Sequence, residues 1–285
     1  MIKQAHAKIN LGLNVVSKRD DGYHELEMIM VPLEFHDTIE IEISDVDLLS
    51  SNDPSMPCND NNTIMRAIKL MRDTYSLKHA YRVYVDKKIP MQAGLAGGSS
   101  DAAAVIQAIN EIEGLNRPLD ELVALGKKVG ADVCFCIQNT CAIVKGIGDK
   151  IQPFMNHCDF SVLLVKPHIG ISTREAYETL DFTTCIHPNC EDIKDALMND
   201  DFNLLCTTLG NTLEKSAFKI APEVSQLKQQ LIDIGFEGVL MSGSGSTVFA
   251  LTRNNILLKE AQASLKKQYP FVEITKINNS ESKPY

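Results

Sequence analysis

Residues 90–104 read Pro-Met-Gln-Ala-Gly-Leu-Ala-Gly-Gly-Ser-Ser-Asp-Ala-Ala-Ala, and no other stretch narrows the choices so far. Gly94, Gly97 and Gly98 open backbone conformations closed to other residues and let a ligand approach the main chain. Ser99 and Ser100 are good helix N-caps with free hydroxyls, and Asp101 falls in the first turn. Ala102, Val105, Ile106, Ile109 and Ile112 then form one apolar stripe, which predicts a helix from near Ser100 to Gly114. A glycine-rich loop that runs into a helix N-terminus presents unpaired N–H groups and the positive end of the helix dipole, so it favours phosphate. Two common phosphate loops are excluded. No Gly-Lys-Ser/Thr follows the glycines, and Gly-Leu-Ala-Gly-Gly-Ser lacks the dinucleotide spacing. The competing reading is a capped helix after a flexible turn. Three glycines and paired serines before an alanine run weigh against it.

Residues 7–15 alternate strictly. Ala7, Ile9, Leu11, Leu13 and Val15 share one face; Lys8, Asn10, Gly12 and Asn14 share the other. That pattern predicts a half-buried strand with a polar working face. Residues 38–43 alternate too, with Ile39, Ile41 and Ile43 inward, and residues 81–86 form another candidate strand. Asn62–Thr74 and Pro118–Gly130 carry helical stripes, and Pro153–Asp159 reads as a linker. Beyond it come a strand (Phe160–Lys166), four helical segments between Thr173 and Gly235, and strands at Gly238–Met241 and Thr247–Thr252 around a turn. A helix (Ile256–Gln268) and a strand (Phe271–Ile277) follow. The last eight residues are polar and expected to fray.

The chain has 285 residues, enough for two domains or one large one. Its net charge of −9, with no basic run longer than pairs such as Lys87-Lys88, argues against nucleic acid as a partner. It also means that local N–H groups, a few lysines or a divalent cation must hold any nucleotide. Met1–Val16 has no long apolar stretch and is not expected to act as a secretory signal. No run approaches ~18 apolar residues, so no membrane partner is expected and the expected location is cytoplasmic. Cys134 and Cys136 alternate with Val133, Phe135 and Ile137 as buried strand residues would. Cys185 and Cys190 flank His187, but without a Cys-x-x-Cys pair zinc is not expected, and the eight cysteines read as reduced, small apolar side chains.

The loop at 90–104 resembles the ATP-binding motif of the GHMP kinases. The doubled Gly97-Gly98 before Ser99-Ser100-Asp101-Ala102-Ala103 is most similar to their diphosphocytidyl-methylerythritol kinase branch. Ala7-Lys8-Ile9-Asn10-Leu11-Gly12-Leu13 resembles that branch's opening strand. Arg19-x-Asp21-Gly22-Tyr23-His24-Glu25 resembles its substrate loop, and Met241–Phe249 resembles the superfamily's third glycine-rich motif. Three motifs in the correct order outweigh any one alone.

The resemblance implies an α+β, two-domain GHMP kinase fold. Residues 1–152 would form a ribosomal protein S5 domain 2-like ATP-binding half, and residues 153–285 a ferredoxin-like half. It implies transfer of the γ-phosphate of ATP to the 2-hydroxyl of 4-diphosphocytidyl-2-C-methyl-D-erythritol in non-mevalonate isoprenoid synthesis. Pro90, Met91, Gln92, Ala93, Gly94, Leu95, Ala96, Gly97, Gly98, Ser99 and Ser100 would hold ATP, with Asn62 near the adenine or acting only as a helix cap. Asp132 would be the catalytic base and Lys8 its partner, where a cap aspartate and an exposed strand lysine are the plainer readings. Asn10 would orient the substrate. Tyr23 and His24 would hold the cytosine, and Thr173 and Tyr177 match a second substrate segment, Tyr177 closing on the base opposite Tyr23. Mg²⁺ is implied, with ligands mainly from phosphate and water; its protein ligands and the oligomeric state stay open. A kinase for homoserine or mevalonate is the first alternative, and the Asp21–Glu25 loop argues against it because those substrates carry no base. A non-catalytic ligand-binding protein is the second, and retention of Lys8 with Asp132 argues against that. The chain departs from the common pattern at Ala96, Cys134, Asn139-Thr140, Asp149 and Ser246.

Overall fold

The computed structural model describes residues 1–279. Its spine is a long antiparallel hairpin, β1 (Ile2–Lys18) and β2 (His24–Ser44), whose register runs from Lys18 opposite His24 to Ile2 opposite Glu40. β1 carries the expected alternation, but it is covered on both faces from Ala7 to Leu13, so Lys8 and Asn10 are buried. β2 is longer than the alternating stretch 38–43 suggests. Its first half includes Met28–Leu33, an apolar run buried on both sides, and such a run has no period of two to read. Ile43, expected inward, is 48% exposed near the strand end.

β3 (Leu48–Ser51), α1 (Thr63–Tyr75), β4 (Ala80–Asp86), α2 (Gly97–Ile112), α3 (Leu119–Val129), α4 (Ala131–Gln138), β5 (Ala142–Gly146) and β6 (Lys150–Pro153) complete the first half. β4 and β5 pair with successive stretches of β2, and α1, α2, α3 and α4 pack on one another with α2 against β1. One expectation is corrected: Val133–Ile137 is helix, not strand. All five residues are buried, and a short apolar run satisfies either period when every face is covered.

Residues 154–160 have no regular structure. β7 (Ser161–Lys166), α5 (Thr173–Glu178), α6 (Cys190–Met198), α7 (Phe202–Thr208), β8 (Gly210–Asn211), α8 (Glu214–Ile220), α9 (Pro222–Ile234), β9 (Gly238–Met241), β10 (Val248–Thr252), α10 (Asn255–Leu265) and β11 (Phe271–Lys276) follow. Between Thr173 and Gly235 there are therefore five helices, not four. Four strands form an antiparallel sheet in the order β11-β7-β10-β9, the split β-α-β arrangement of a ferredoxin-like half. β8 leaves that half and pairs in parallel with β1, Gly210 opposite Gly12, and Leu33 bridges Ile277. Two buried apolar clusters each draw residues from both halves. Of the tail expected to fray, residues 280–285 lie outside the described residues. The Asn278 N–H donates to Pro32 O at 2.9 Å, and Asn279 Oδ1 accepts from Asn156 Nδ2 at 3.2 Å.

Candidate active site

α2 begins earlier than the sequence suggests. It starts at Gly97, and its cap is Ala96, in the left-handed region at φ 59° with no side-chain cap bond. Ser99 and Ser100 are inside the first turn instead of capping it, and Asp101 sits a turn further on. The Ser100 N–H closes on Ala96 O at 2.9 Å, so the N–H groups of Gly97, Gly98 and Ser99 precede the first intrahelical bond. The loop before the helix is pressed against the third glycine-rich turn. A Cβ on Gly94, at φ 73°, would lie 2.1 Å from Ser242 O; Ser242 Oγ donates to Gly94 O at 3.0 Å, and the Thr247 N–H to Ala93 O at 3.3 Å. From the other side the Lys8 N–H donates to Leu95 O at 3.2 Å, using the bulge between His6 and Lys8 where β1 is free of β2. Thr63 Oγ1 donates to Gly98 O at 2.7 Å and lashes α1 to α2. The result is a rigid cradle of backbone donors, which fits a phosphate chain.

The cradle opens into a cleft of about 1370 Å³ between the halves. Lys8, Asn10, Tyr23, His24, Asp132, Thr173, Tyr177 and residues 90–99 all line it. Asn62 and Ser100 do not. The Asn62 side chain caps α1 by accepting the Ile64 N–H at 2.8 Å and donates to Pro57 O, while Ser100 Oγ donates to His6 O at 2.6 Å. Both side chains are spent on the scaffold.

Asp132 stands in the first turn of α4, where the helix dipole favours a carboxylate, and its side chain is 38% exposed to the cleft. Lys8 Nζ lies 3.7 Å from Asp132 Oδ2 and donates to Asn10 Oδ1 at 2.7 Å; Asn10 Nδ2 in turn reaches Met28 Sδ at 3.4 Å. A buried ammonium is thus held between a carboxylate and an amide at the cleft wall.

The far end of the cleft is aromatic. The His24 ring faces Tyr177 at 4.9 Å and 32°, and Phe182 at 6.3 Å and 25°. His24 lies against Tyr177, and Tyr23, expected to hold the base opposite Tyr177, stands 61% exposed on the turn between β1 and β2, at the rim of the same cleft. Burial lowers the His24 imidazole pKa, with help from the charge of Lys18, and keeps its ring neutral. Burial raises the Tyr177 hydroxyl, and the negative charge of Asp132 raises it further. Thr173 Oγ1 shares a 2.9 Å hydrogen bond with Ser244 Oγ, tying α5 to the third glycine-rich turn.

Three residues around the cradle, Asp37, Lys87 and Asn211, lie outside the sequence motifs, and Asp101 lies within one but with no role read for it. Lys87 Nζ binds Asp37 Oδ2 at 2.5 Å and Asp101 Oδ2 at 2.7 Å, with all three side chains at most 2% exposed. Asp37 Oδ1 also accepts the Lys88 and Ile89 N–H groups. Burial, opposed by Lys87 and aided by Asp37, pushes the Asp101 carboxyl up to about 7. Asn211 donates to Met241 O and Gly243 O at 2.9 and 2.8 Å and shapes the third turn. Parity was the available signal for two of them. Asp37 is in step with buried Ile39 and Ile41, and Lys87 with buried Tyr81, Val83 and Val85; charges on the inward face of two paired strands mark a buried ion pair.

The departures from the family pattern find local explanations. Asn139 takes the left-handed position after α4 at φ 48°, a conformation asparagine tolerates next best to glycine. Asp149 Oδ1 accepts the Ile147 N–H at 3.1 Å, and its other oxygen pairs with Lys127. Ser246 Oγ donates to Ile169 O at 2.5 Å, and Cys134 is a buried thiol against Val123 O. His187 Nε2 lies 3.4 Å from Cys185 Sγ, but Cys190 is buried and points its thiol at Glu27 O, so the three form no metal clip.

The chain matches the family described as GHMP kinases N terminal domain over residues 62–143 and GHMP kinases C terminal over residues 190–270. It is 40% identical over 268 residues to a 4-diphosphocytidyl-2-C-methyl-D-erythritol kinase from a Geobacillus species, covering 93% of each chain. A protein of the same name from Exiguobacterium sibiricum is 40% identical over 256 residues, covering 89% of this chain and 90% of that one. A crystal structure of 4-(cytidine 5'-diphospho)-2C-methyl-D-erythritol kinase superposes with a TM-score of 0.83 at 29% identity, over 98% of this chain and 99% of that one. A homoserine kinase structure from Cytophaga hutchinsonii shares the fold, with a TM-score of 0.74 at 17% identity over 96% and 95%.

Proposed function

The chain belongs to the GHMP kinase family, and from that premise we propose that it transfers the γ-phosphoryl group of ATP to the 2-hydroxyl of 4-diphosphocytidyl-2-C-methyl-D-erythritol, in the non-mevalonate route to isoprenoids. It is a small-molecule kinase. The observation that carries the reading is the Lys8–Asp132 pair, which faces the cleft between a phosphate cradle and an aromatic end.

Asp132 accepts the proton of the attacking hydroxyl. The hydroxyl oxygen bonds to the γ-phosphorus, the bond to the β-phosphate oxygen breaks, and ADP leaves. Lys8 Nζ, 3.7 Å from Asp132, offsets charge on the phosphoryl group in transit, and Asn10 fixes the lysine and the substrate hydroxyl. The open N–H groups of Gly97, Gly98 and Ser99 hold the phosphates of ATP. Tyr23, His24 and Tyr177 receive the cytosine, a flat ring that displaces the His24–Tyr177 contact or caps it, and Thr173 binds beside the third turn.

Mg²⁺ belongs to the proposal as the charge-neutralising partner of the phosphates. Among the described residues no three His, Cys, Asp or Glu side chains converge as a metal set, which fits an ion held mainly by phosphate and water. Ser99 is the loop hydroxyl that lines the cleft. In this reading residues 1–152 bind ATP and residues 153–285 close the other side, with the irregular segment 154–160 between them. A cytoplasmic location is supported by eight cysteines that are all unpaired.

The test is ADP release with Mg²⁺, ATP and the cytidyl substrate, for the wild type and Asp132→Asn. The expected result is substrate-dependent ADP release that falls by about 10²–10⁴ in the variant, with ADP and CMP binding retained. Wild-type protein that releases no ADP with this substrate would refute the assignment.

A further inference from the structure

The phosphate cradle rests on a buried ionic cluster that the proposed chemistry does not use. Lys87 Nζ sits directly beneath the first residue of α2: a Cβ on Gly97 would lie 2.9 Å from it and 3.0 Å from Ile89 Cγ2. The same ammonium is gripped by Asp37 from β2 and by Asp101 from α2. Asp37 also takes the two N–H groups that follow Lys87, so the exit of β4 is fixed to β2 by three bonds from one carboxylate. The other Asp101 oxygen, Oδ1, is buried and has no hydrogen-bond partner among the described residues. An orphaned buried acceptor is costly, so stability alone is a poor reason for the cluster. Replacing a buried ionic cluster by apolar groups of similar shape is often neutral for stability, so its presence asks for another reason.

We propose that Asp37, Lys87 and Asp101 are a positioning set for the nucleotide phosphates. The lysine, clamped between sheet and helix, sets where the open N–H groups of Gly97, Gly98 and Ser99 point, and Lys87 itself lines the cleft under them. This inference rests on the reading of residues 90–99 as the ATP phosphate site. It adds residues outside that loop, on the two strands and the helix that carry it.

Two variants separate positioning from scaffolding. Lys87→Met with Asp101→Asn removes one positive and one negative group from the cluster, so its formal charge is unchanged and any effect on anion binding is local. Lys87→Met with Asp37→Asn and Asp101→Asn removes every charge while keeping side-chain length and the Asp37 oxygen that accepts two N–H groups. Calorimetric titrations use ADP, adenosine and CMP as probes, and thermal melting reports folding. The expected result in both variants is ADP affinity weakened about tenfold or more, with adenosine and CMP affinities within about twofold of wild type. In steady state the KM for ATP rises while the KM for the cytidyl substrate holds. ADP affinity within twofold of wild type in either folded variant overturns the inference and leaves the proposed function standing. Equal loss of ADP, adenosine and CMP binding also overturns it, since that is the mark of a general scaffold defect. Wild-type protein that binds CMP but no ADP overturns the phosphate-site reading itself.

Discussion

The two ends of the cleft are built on opposite principles. At the phosphate end the loop is tied through its own backbone, by main-chain and hydroxyl donors alike, the neighbouring charges are buried, and Gly94 has no room for a side chain. At the aromatic end the turn from Arg19 to Tyr23 is exposed, its ion pairs from Arg19 to Asp21 and Glu25 lie at the surface, and Tyr23 projects into solvent. Surface pairs of this kind, open to water and salt, add little stability. The difference teaches that a group common to many substrates is met by a preformed site, while the group that distinguishes one substrate is met by side chains able to rearrange.

If the phosphate end is rigid, the largest effect follows from filling it. Gly94→Ala places a methyl group on Ser242 O in a backbone conformation that disfavours alanine, and should destabilise the fold by about 2 kcal/mol or more. Urea unfolding measures this, and ADP binding should fall with it. A neutral Gly94→Ala would break the comparison. At the other end, Tyr177→Ala should lower melting, because the ring also packs on the core, but leave the ADP affinity of the folded protein nearly unchanged and weaken CMP by about 1–3 kcal/mol in calorimetry.

A pH series sharpens the contrast. The Asp101 carboxyl is pushed up to about 7 by burial, and the groups facing it are Lys87, Asp37 and the Cys136 thiol of α4. A raised carboxyl binds more protons folded than unfolded, so its contribution is present below about pH 4 and is lost as pH rises towards 7. Asp101→Asn should therefore gain on wild type as pH rises between those limits, seen as a melting temperature that falls less steeply with pH than the wild type's. The smallest effect is Ala96→Gly. Alanine at φ 59° carries a cost that glycine lacks, and the variant should gain about 0.5–1 kcal/mol in chemical unfolding, less the entropy glycine loses on folding.

The same contrast governs what could be read without coordinates. Gly94, Gly97 and Gly98 announce the phosphate end, because few structural needs place three glycines before an alanine helix. Helices with one apolar stripe, such as α1 and α3, were legible to within a residue or so of their ends. Elements buried all round were not: Met28–Leu33 and Val133–Ile137 carry no period, and one is strand while the other is helix. The start of α2 at Ala96 was hidden because the cap is a strained backbone, not a polar side chain. Lys8 and Asp132 come together from β1 and α4, a meeting that the family resemblance implied and that no local pattern in the residues could show. The arrangement of His24 against Tyr177 was out of reach for the same reason: the two half-buried rings are brought together by elements distant in sequence, not by local pattern.

Both ends of the cleft deliver their groups to one hydroxyl beside Asp132 in the proposed reaction. Phosphorus NMR of wild-type protein with ATP, Mg²⁺ and 4-diphosphocytidyl-2-C-methyl-D-erythritol tests it most directly. The predicted result is ADP together with one new phosphate monoester, coupled to the substrate's 2-position carbon. Unchanged ATP, or ADP accompanied only by inorganic phosphate, would contradict it.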